Sequence, residues 1–463
     1  MAGTYIEGSS KVLSGVYSLI QAAVSRAQMS SRGVVAYPCT SNWGPVNKLT
    51  LMGGQSEFKS TYNADGTTLT AKAVDLHGYR GNPQTVLAYR MATSAAAKAT
   101  CTLGVTSIKL ETKYPTDRAF TVVVKDGTAG TKIIDIVENG IKLATVEGST
   151  VGDLAAKLAL TDYVNVTSVG ADLPANTAGV VFTGGNNGDV VTVSEYAAFL
   201  DELEADGTAN AFALDGVTDD AIIATVTTWV NRVRQEGLYI TYVNGGPAAW
   251  DTDGGVAANA KSVALNSRSI INVGNGCEGY TAAEMAIFIA ARVASVPLNR
   301  TLTDEIVPYT GVNKKLKPGQ RQTAKTMGTL VFVQDGNAVV IDEAVNTLTM
   351  PRADEQREMG KIRINNALDS ILKDLEAFGK EYKKNRSNTQ EARETYAATV
   401  EDTYLKPLAN MEVIQDGYYY RPDPDFHGPK AVHKPALDEA YFYADLTPVD
   451  SMERIYQKIG VNF

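Results

Sequence analysis

The chain has 463 residues, a formal net charge of −9, three histidines and three cysteines. That length carries about three domains of ordinary size, and the acidic balance leaves no basic excess to neutralise a nucleic-acid backbone. Cys39, Cys101 and Cys277 lie far apart without CxxC spacing, which suggests neither a disulfide framework nor a zinc site and fits a reduced cytoplasm.

Residues 1–10 are small and polar, and Val12–Ile20 reads as an extended N-terminal arm. Ser14, Ser18 and Gln21 interrupt its likeness to a signal peptide, and Glu7 spoils a basic leader. Gly33–Pro38 predicts the first core strand, ended by Pro38, with a turn over Ser41–Pro45 and another strand over Gln84–Met91. From about Ala99 to Gly185 Thr, Val, Gly and Asp dominate. Runs such as Ala119–Lys125 and Lys132–Val137 are punctuated by Asp126-Gly127 and Asn139-Gly140. This pattern predicts an inserted all-β, sandwich-like domain with one helix, Gly152–Leu160, dispensable to the folding of the rest.

Beyond Ser194 strand and helix patterns alternate, which argues for an α/β layer. Ser194 and Thr218 are the expected caps of two helices. The first bears Tyr196, Phe199, Leu200 and Leu203, and the second bears Ile222, Val226, Trp229, Val230 and Val233. Strands are expected over Leu238–Val243 and Ser269–Val273. A Thr281/Glu284 capping box opens a helix carrying Met285, Phe288, Ile289 and Val293, and a hairpin turns at Asp335-Gly336. Arg292 interrupts the apolar run Met285–Ala291, so no segment reaches the ~18 residues of a membrane span. Past Met350 a charged helical region carries the stripe Ile364, Leu368, Ile371, Leu372, Leu375 and Phe378. Asn388 or Thr389 then caps a helix stopped near Pro407, and Arg421–Pro429 reads as an irregular loop.

Little in the chain fits catalysis. Gly148-Ser-Thr-Val-Gly152 places Thr150 where a nucleophile elbow needs Ser, and His77, His427 and His433 read as solvated histidines. No phosphate-binding GxxxxGK[ST] occurs, and Gly245-Gly246 and Gly274-Asn-Gly276 read as turns at strand ends. Asp423, Asp425 and His427 come from one proline-constrained segment, so no metal or other cofactor is expected. The last stretch alternates: Ile455, Ile459, Val461 and Phe463 share a face with Gln457, the period of a half-buried strand. An apolar strand in that position implies a waiting sheet, which a second copy of the chain can supply.

Several of these stretches together resemble the sheath proteins of contractile phage tails and phage-tail-like bacteriocins, nearest the branch in phages of Gram-positive bacteria. Lys11–Tyr17 is similar to the family's N-terminal arm, with Ser14 where the family carries proline. Arg32–Ala36 with Asn42–Pro45, Phe182–Gly185 leading into Tyr196–Leu200, Thr281–Met285, Leu298–Thr303, Asn346–Leu348 and the helix Ile362–Phe378 follow in the family's order, and Asp445–Tyr456 is the most family-specific piece.

The resemblance implies an α+β multidomain chain. Its parts are an arm (1–20), an α/β core (21–98 and 186–345), an inserted β-rich outer domain (99–185), an α+β inner C-terminal domain (346–440) and a strand arm (441–463). It implies a structural subunit, not an enzyme, polymerised as stacked hexameric rings that contract around an inner tube. Partners would be other copies, the tube, baseplate and tail-terminator proteins, with no nucleic acid and no membrane insertion. The particle would be a virion tail or tail-like body assembled in the bacterial cytoplasm. Val12, Val16, Tyr17, Ile455, Ile459, Val461 and Phe463 would make contacts between subunits, and Lys383, Lys384 and Arg386 would face the tube. The competing readings are a static shell or tube protein, and an α/β hydrolase or nucleotide-using enzyme.

Overall fold

The computed structural model describes residues 32–104, 107–384 and 386–458. By contacts they form two units, residues 32–366 with 450–458, and residues 367–449.

The first unit is built on a seven-stranded sheet in the order Thr329–Leu330, Ile270–Val273, Thr241–Gly245, Ala211–Ala213, Val34–Cys39, Thr85–Arg90 and Leu49–Met52. Every neighbouring pair is parallel except the last. Parallel strands need crossover connections and are covered on both faces, which explains their apolar runs. Helix Ala282–Ser295 packs on one face with Tyr37, Val243 and Ile271. Helices Val193–Asp206 and Asp220–Gln235 cover the other with Ala36, Phe212 and Tyr242. Ala282–Ser295 is buried nearly all round rather than along one stripe, as a central layer requires. Its Thr281/Glu284 capping box forms as the sequence predicts.

Some local expectations are corrected. The first strand runs through Pro38 to Cys39: Ala211–Ala213 pairs with it only at Val35 and Ala36, so at Pro38 one neighbour has already ended and a missing N–H is tolerated. Thr192 with Glu195, not Ser194, caps one helix, and Asp219, not Thr218, caps the next. The strand expected from Leu238 begins only at Thr241.

Within this unit the insertion forms two antiparallel sheets. Thr100–Leu103, Ile108–Thr112 and Val164–Val169 make one. Thr177–Val181, Phe120–Asp126, Lys132–Glu138 and Ile141–Gly148 make the other. Helix Val151–Ala159 is capped by Thr150. Leu103, Ile108 and Leu110 meet Phe120, Val122 and Ile134 in one core, the sandwich that the composition predicts. Its independence needs amendment. Trp43, from the core turn, is buried in the insertion against Tyr114 and Phe120. Arg90, fully buried at the end of a core strand, donates to the carbonyls of Gly44, Pro115 and Asn187.

The second unit is helical with a small ribbon. Residues 367–382 of the long helix Ile362–Tyr382 belong to it. Ile364, Ile371 and Phe378 of its predicted stripe are buried, whereas Leu372 is exposed. Gln390–Val400, capped by Thr389, continues through a π-turn into Lys406–Asn410. Pro407 therefore does not stop it: after the π-turn the proline occupies the opening turn of a new helix, where its lost N–H matters little. The loop expected over Arg421–Pro429 contains the end of strand Tyr419–Pro422 and a turn of helix, Pro424–His427. Tyr419–Pro422 pairs antiparallel with Phe442–Asp445.

Candidate functional site

In an open α/β sheet ligands bind beyond the carboxyl ends of the strands, where the strand order reverses. Here that place lies between Val34–Cys39 and Ala211–Ala213, and the chain itself fills it. Buried Asp215 accepts a 2.7 Å hydrogen bond from the Tyr196 hydroxyl, and the Thr70 hydroxyl accepts from the Thr40 amide at 2.7 Å. Burial raises the Asp215 carboxyl above its usual range. The glycine turns are equally occupied: a Cβ on Gly245 would stand 2.1 Å from the Ala282 carbonyl, and one on Gly276 would stand 1.9 Å from the Tyr280 carbonyl. These glycines permit close backbone packing, as the turn reading requires.

Contrary to the solvated reading, His77 is fully buried. Its Nδ1 lies 2.8 Å from the Tyr309 hydroxyl, its ring packs edge-on to Tyr280, and Arg80 covers Tyr309. Burial, aided by the Arg80 charge and opposed by Glu278, lowers its pKa to about 4. An unfolded chain takes up the proton near pH 6.5, so stability is level above that and declines as pH falls towards 4, by up to about 3 kcal/mol. The His77→Gln variant is expected to lose this slope. Urea melts between pH 7.5 and 4.5 that stay parallel for both proteins would refute it. His427 is also engaged, its Nε2 accepting from the Tyr441 amide at 2.9 Å. Among the described residues no His, Cys, Asp and Glu group is placed to hold a metal, and no helix is long and apolar enough to cross a membrane.

The sequence-predicted contact residues are placed only in part. Of the arm residues, Val12, Val16, Tyr17, Ile459, Val461 and Phe463 lie outside the described residues. Ile455 is described and is in no strand of this chain. It is 69 % exposed and its neighbour Tyr456 90 %, so the half-buried strand expected from Ile455 is not formed within one copy as far as Lys458. Among the described residues the ribbon Tyr419–Pro422 and Phe442–Asp445 has two strands. A two-stranded ribbon is weak by itself. This one is held by Tyr420 stacked on Phe442 at 5.5 Å and Tyr396 against Phe442 at 4.8 Å.

Lys383, Lys384 and Arg386 are all exposed just beyond the long helix, where cations favour the negative end of its dipole. Lys384 pairs with Glu381 at 2.6 Å and Arg386 covers the Tyr382 ring. With Arg393 they rim a groove of about 880 Å³ whose apolar wall includes Tyr382, Tyr396, Leu437 and Phe442.

Sequence reasoning missed the root of the C-terminal arm. Lys361 bonds Asp450 at 2.9 Å and also Glu453, which accepts from the Thr303 hydroxyl at 3.0 Å, while Arg454 reaches Glu343 at 3.4 Å. Burial opposes charge on Lys361, but the bonds to Glu453 and Asp450 outweigh it and raise its pKa. No local pattern could have paired Lys361 with residues some ninety positions away.

Residues 189–347, which include most of the parallel sheet, match the family of the phage tail sheath protein central domain. The phage-like element PBSX protein XkdK of Bacillus subtilis (strain 168) is 25 % identical over 501 residues, covering 99 % of both chains. The crystal structure of a sheath tail protein from Desulfitobacterium hafniense is similar over 97 % of this chain and 100 % of that one, at 23 % identity and a TM-score of 0.74. The helical sheath of the anti-feeding prophage in its contracted state covers 98 % of this chain and 100 % of its own, at 10 % identity and a TM-score of 0.57. The fold is therefore the mixed helix-and-strand, multidomain fold of tail sheath proteins.

Proposed function

We propose that this chain is a structural subunit of a phage tail or tail-like sheath, a reading supported by the match of residues 189–347 to the sheath central domain, and that it polymerises as stacked six-membered rings around an inner tube and contracts irreversibly to drive that tube through a cell envelope. Baseplate and terminator proteins bound the cylinder, which assembles in the host cytoplasm. Arms carrying Val12, Val16 and Tyr17 at one end and Ile455, Ile459, Val461 and Phe463 at the other lend strands to neighbouring copies. Lys383, Lys384 and Arg386 face the tube, and the insertion lies outermost.

The observation that carries this reading is the exposed apolar segment at Ile455 and Tyr456, which lies in no strand among the described residues. Strand addition to a neighbouring copy would bury it. Backbone ladders can stay paired while domains rotate about them, so neighbours repack without dissociating. The work then comes from an extended assembly held behind a kinetic barrier, not from a nucleotide.

Purified particles triggered with urea, with and without ATP, are expected to shorten equally and to stay short once urea is removed. Particles carrying Lys383, Lys384 and Arg386 reversed to Glu should show bare tubes at low salt, because the attraction is electrostatic. A requirement for ATP, re-extension, or static cylinders under electron microscopy would sink the reading.

A further inference from the structure

The root of the C-terminal arm is held by ion pairs and by a hydrogen bond from the Thr303 hydroxyl to Glu453. Residues 450–454 lie along the first unit through Lys361, Thr303 and Glu343, while Met452, within that root, is 81 % exposed. Lys361 stands immediately before the long helix Ile362–Tyr382, whose first turn contains no acidic residue. Glu453 is the best buried of the set, its side chain only 9 % exposed, and it also accepts from the Ser451 hydroxyl at 3.3 Å. Glu453 faces inward, while the Arg454 side chain is 57 % exposed. Met452, Ile455 and Tyr456 are left to solvent.

We propose that Lys361 is a positioning residue for contact with a second copy of this chain: it latches Asp450 and Glu453, aims the arm, and leaves Met452, Ile455 and Tyr456 presented to the neighbour. The latch rests on the reading that the arm joins copies. Because Lys361 holds Asp450 and Glu453 through ion pairs, salt or charge reversal opens the latch without disturbing the core beneath.

The test uses the full chain. Trypsin cleavage after Arg454 reports the open population when reclosing is fast. Lys361→Ala is expected to raise its rate roughly five- to tenfold at low salt, and high salt should raise it in wild type but not in the variant. The variant should also polymerise more slowly, followed by light scattering. Lys361→Arg, which keeps the charge and adds no trypsin site, should keep cleavage slow at low salt and retain the salt dependence, whereas Lys361→Met, of similar bulk, should not. Unchanged cleavage in Lys361→Ala, or slow cleavage in Lys361→Met, overturns the latch. A chain truncated after Val449 separates the two ideas: if it polymerises normally, the strand-lending reading itself has failed.

Discussion

A chain ending at Arg454 is expected to fold and melt as the full chain does, yet to remain monomeric. Ile455 and Tyr456 are among the most exposed large apolar residues described and lie in no strand, so losing these two takes nothing from the core of one copy. Nine residues in extended form span about 30 Å, enough to reach a neighbour. Burying Ile455, Ile459, Val461 and Phe463 there is worth ~1.5–3 kcal/mol each before ordering costs. Repeated at every joint, that separates an assembled cylinder from free subunits. Sedimentation velocity and electron microscopy read the assembly, and thermal denaturation reads the fold. Loss of cooperative melting would mean that the segment completes a sheet in its own chain.

Replacing Arg90 by Met is expected to cost about 3–5 kcal/mol, among the largest single-residue effects in the molecule. The guanidinium donates to Gly44 and Pro115 at 2.9 Å and to Asn187 at 3.3 Å, which places a core turn, the outgoing chain and the returning chain around one side chain. Methionine fills the space and leaves three carbonyls without their donor. Burial lowers the Arg90 pKa to about 10, so the group stays charged at neutral pH and its replacement removes a cation as well. Trp43→Ala should add about 3–5 kcal/mol by opening a cavity beside Phe120. The insertion should then melt ahead of the parallel sheet, followed by aromatic circular dichroism against the helical signal. A loss within about 1 kcal/mol for Arg90→Met would show that water replaces the donors freely. The same contacts imply that exchanging residues 99–185 for a linker strands Trp43 and Arg90, so such a deletion requires changes at both.

The amino-acid sequence by itself determined whatever rests on neighbours a few positions apart. The stripe Ile222, Val226, Trp229 and Val230 specifies its helix, Thr281 with Glu284 its cap, and Asp335-Gly336 its hairpin. The change of composition near Ala99 announces the insertion, because short alternating runs fit only half-buried strands. The ordered stretches also carried the family resemblance, and with it the assembly reading, which no periodicity contains. Tertiary structure alone decided the rest. Pro38 stays in a strand because a partner from residues 211–213 has ended beside it. Pro407 stays in a helix because a π-turn precedes it. His77 is dry because Tyr280 and Tyr309 close over it. Lys361 meets Asp450 and Glu453, and Arg90 meets Pro115 and Asn187, only after folding has closed long loops. A charge or a carbonyl acts through distance in space, and separation along the chain carries no trace of it.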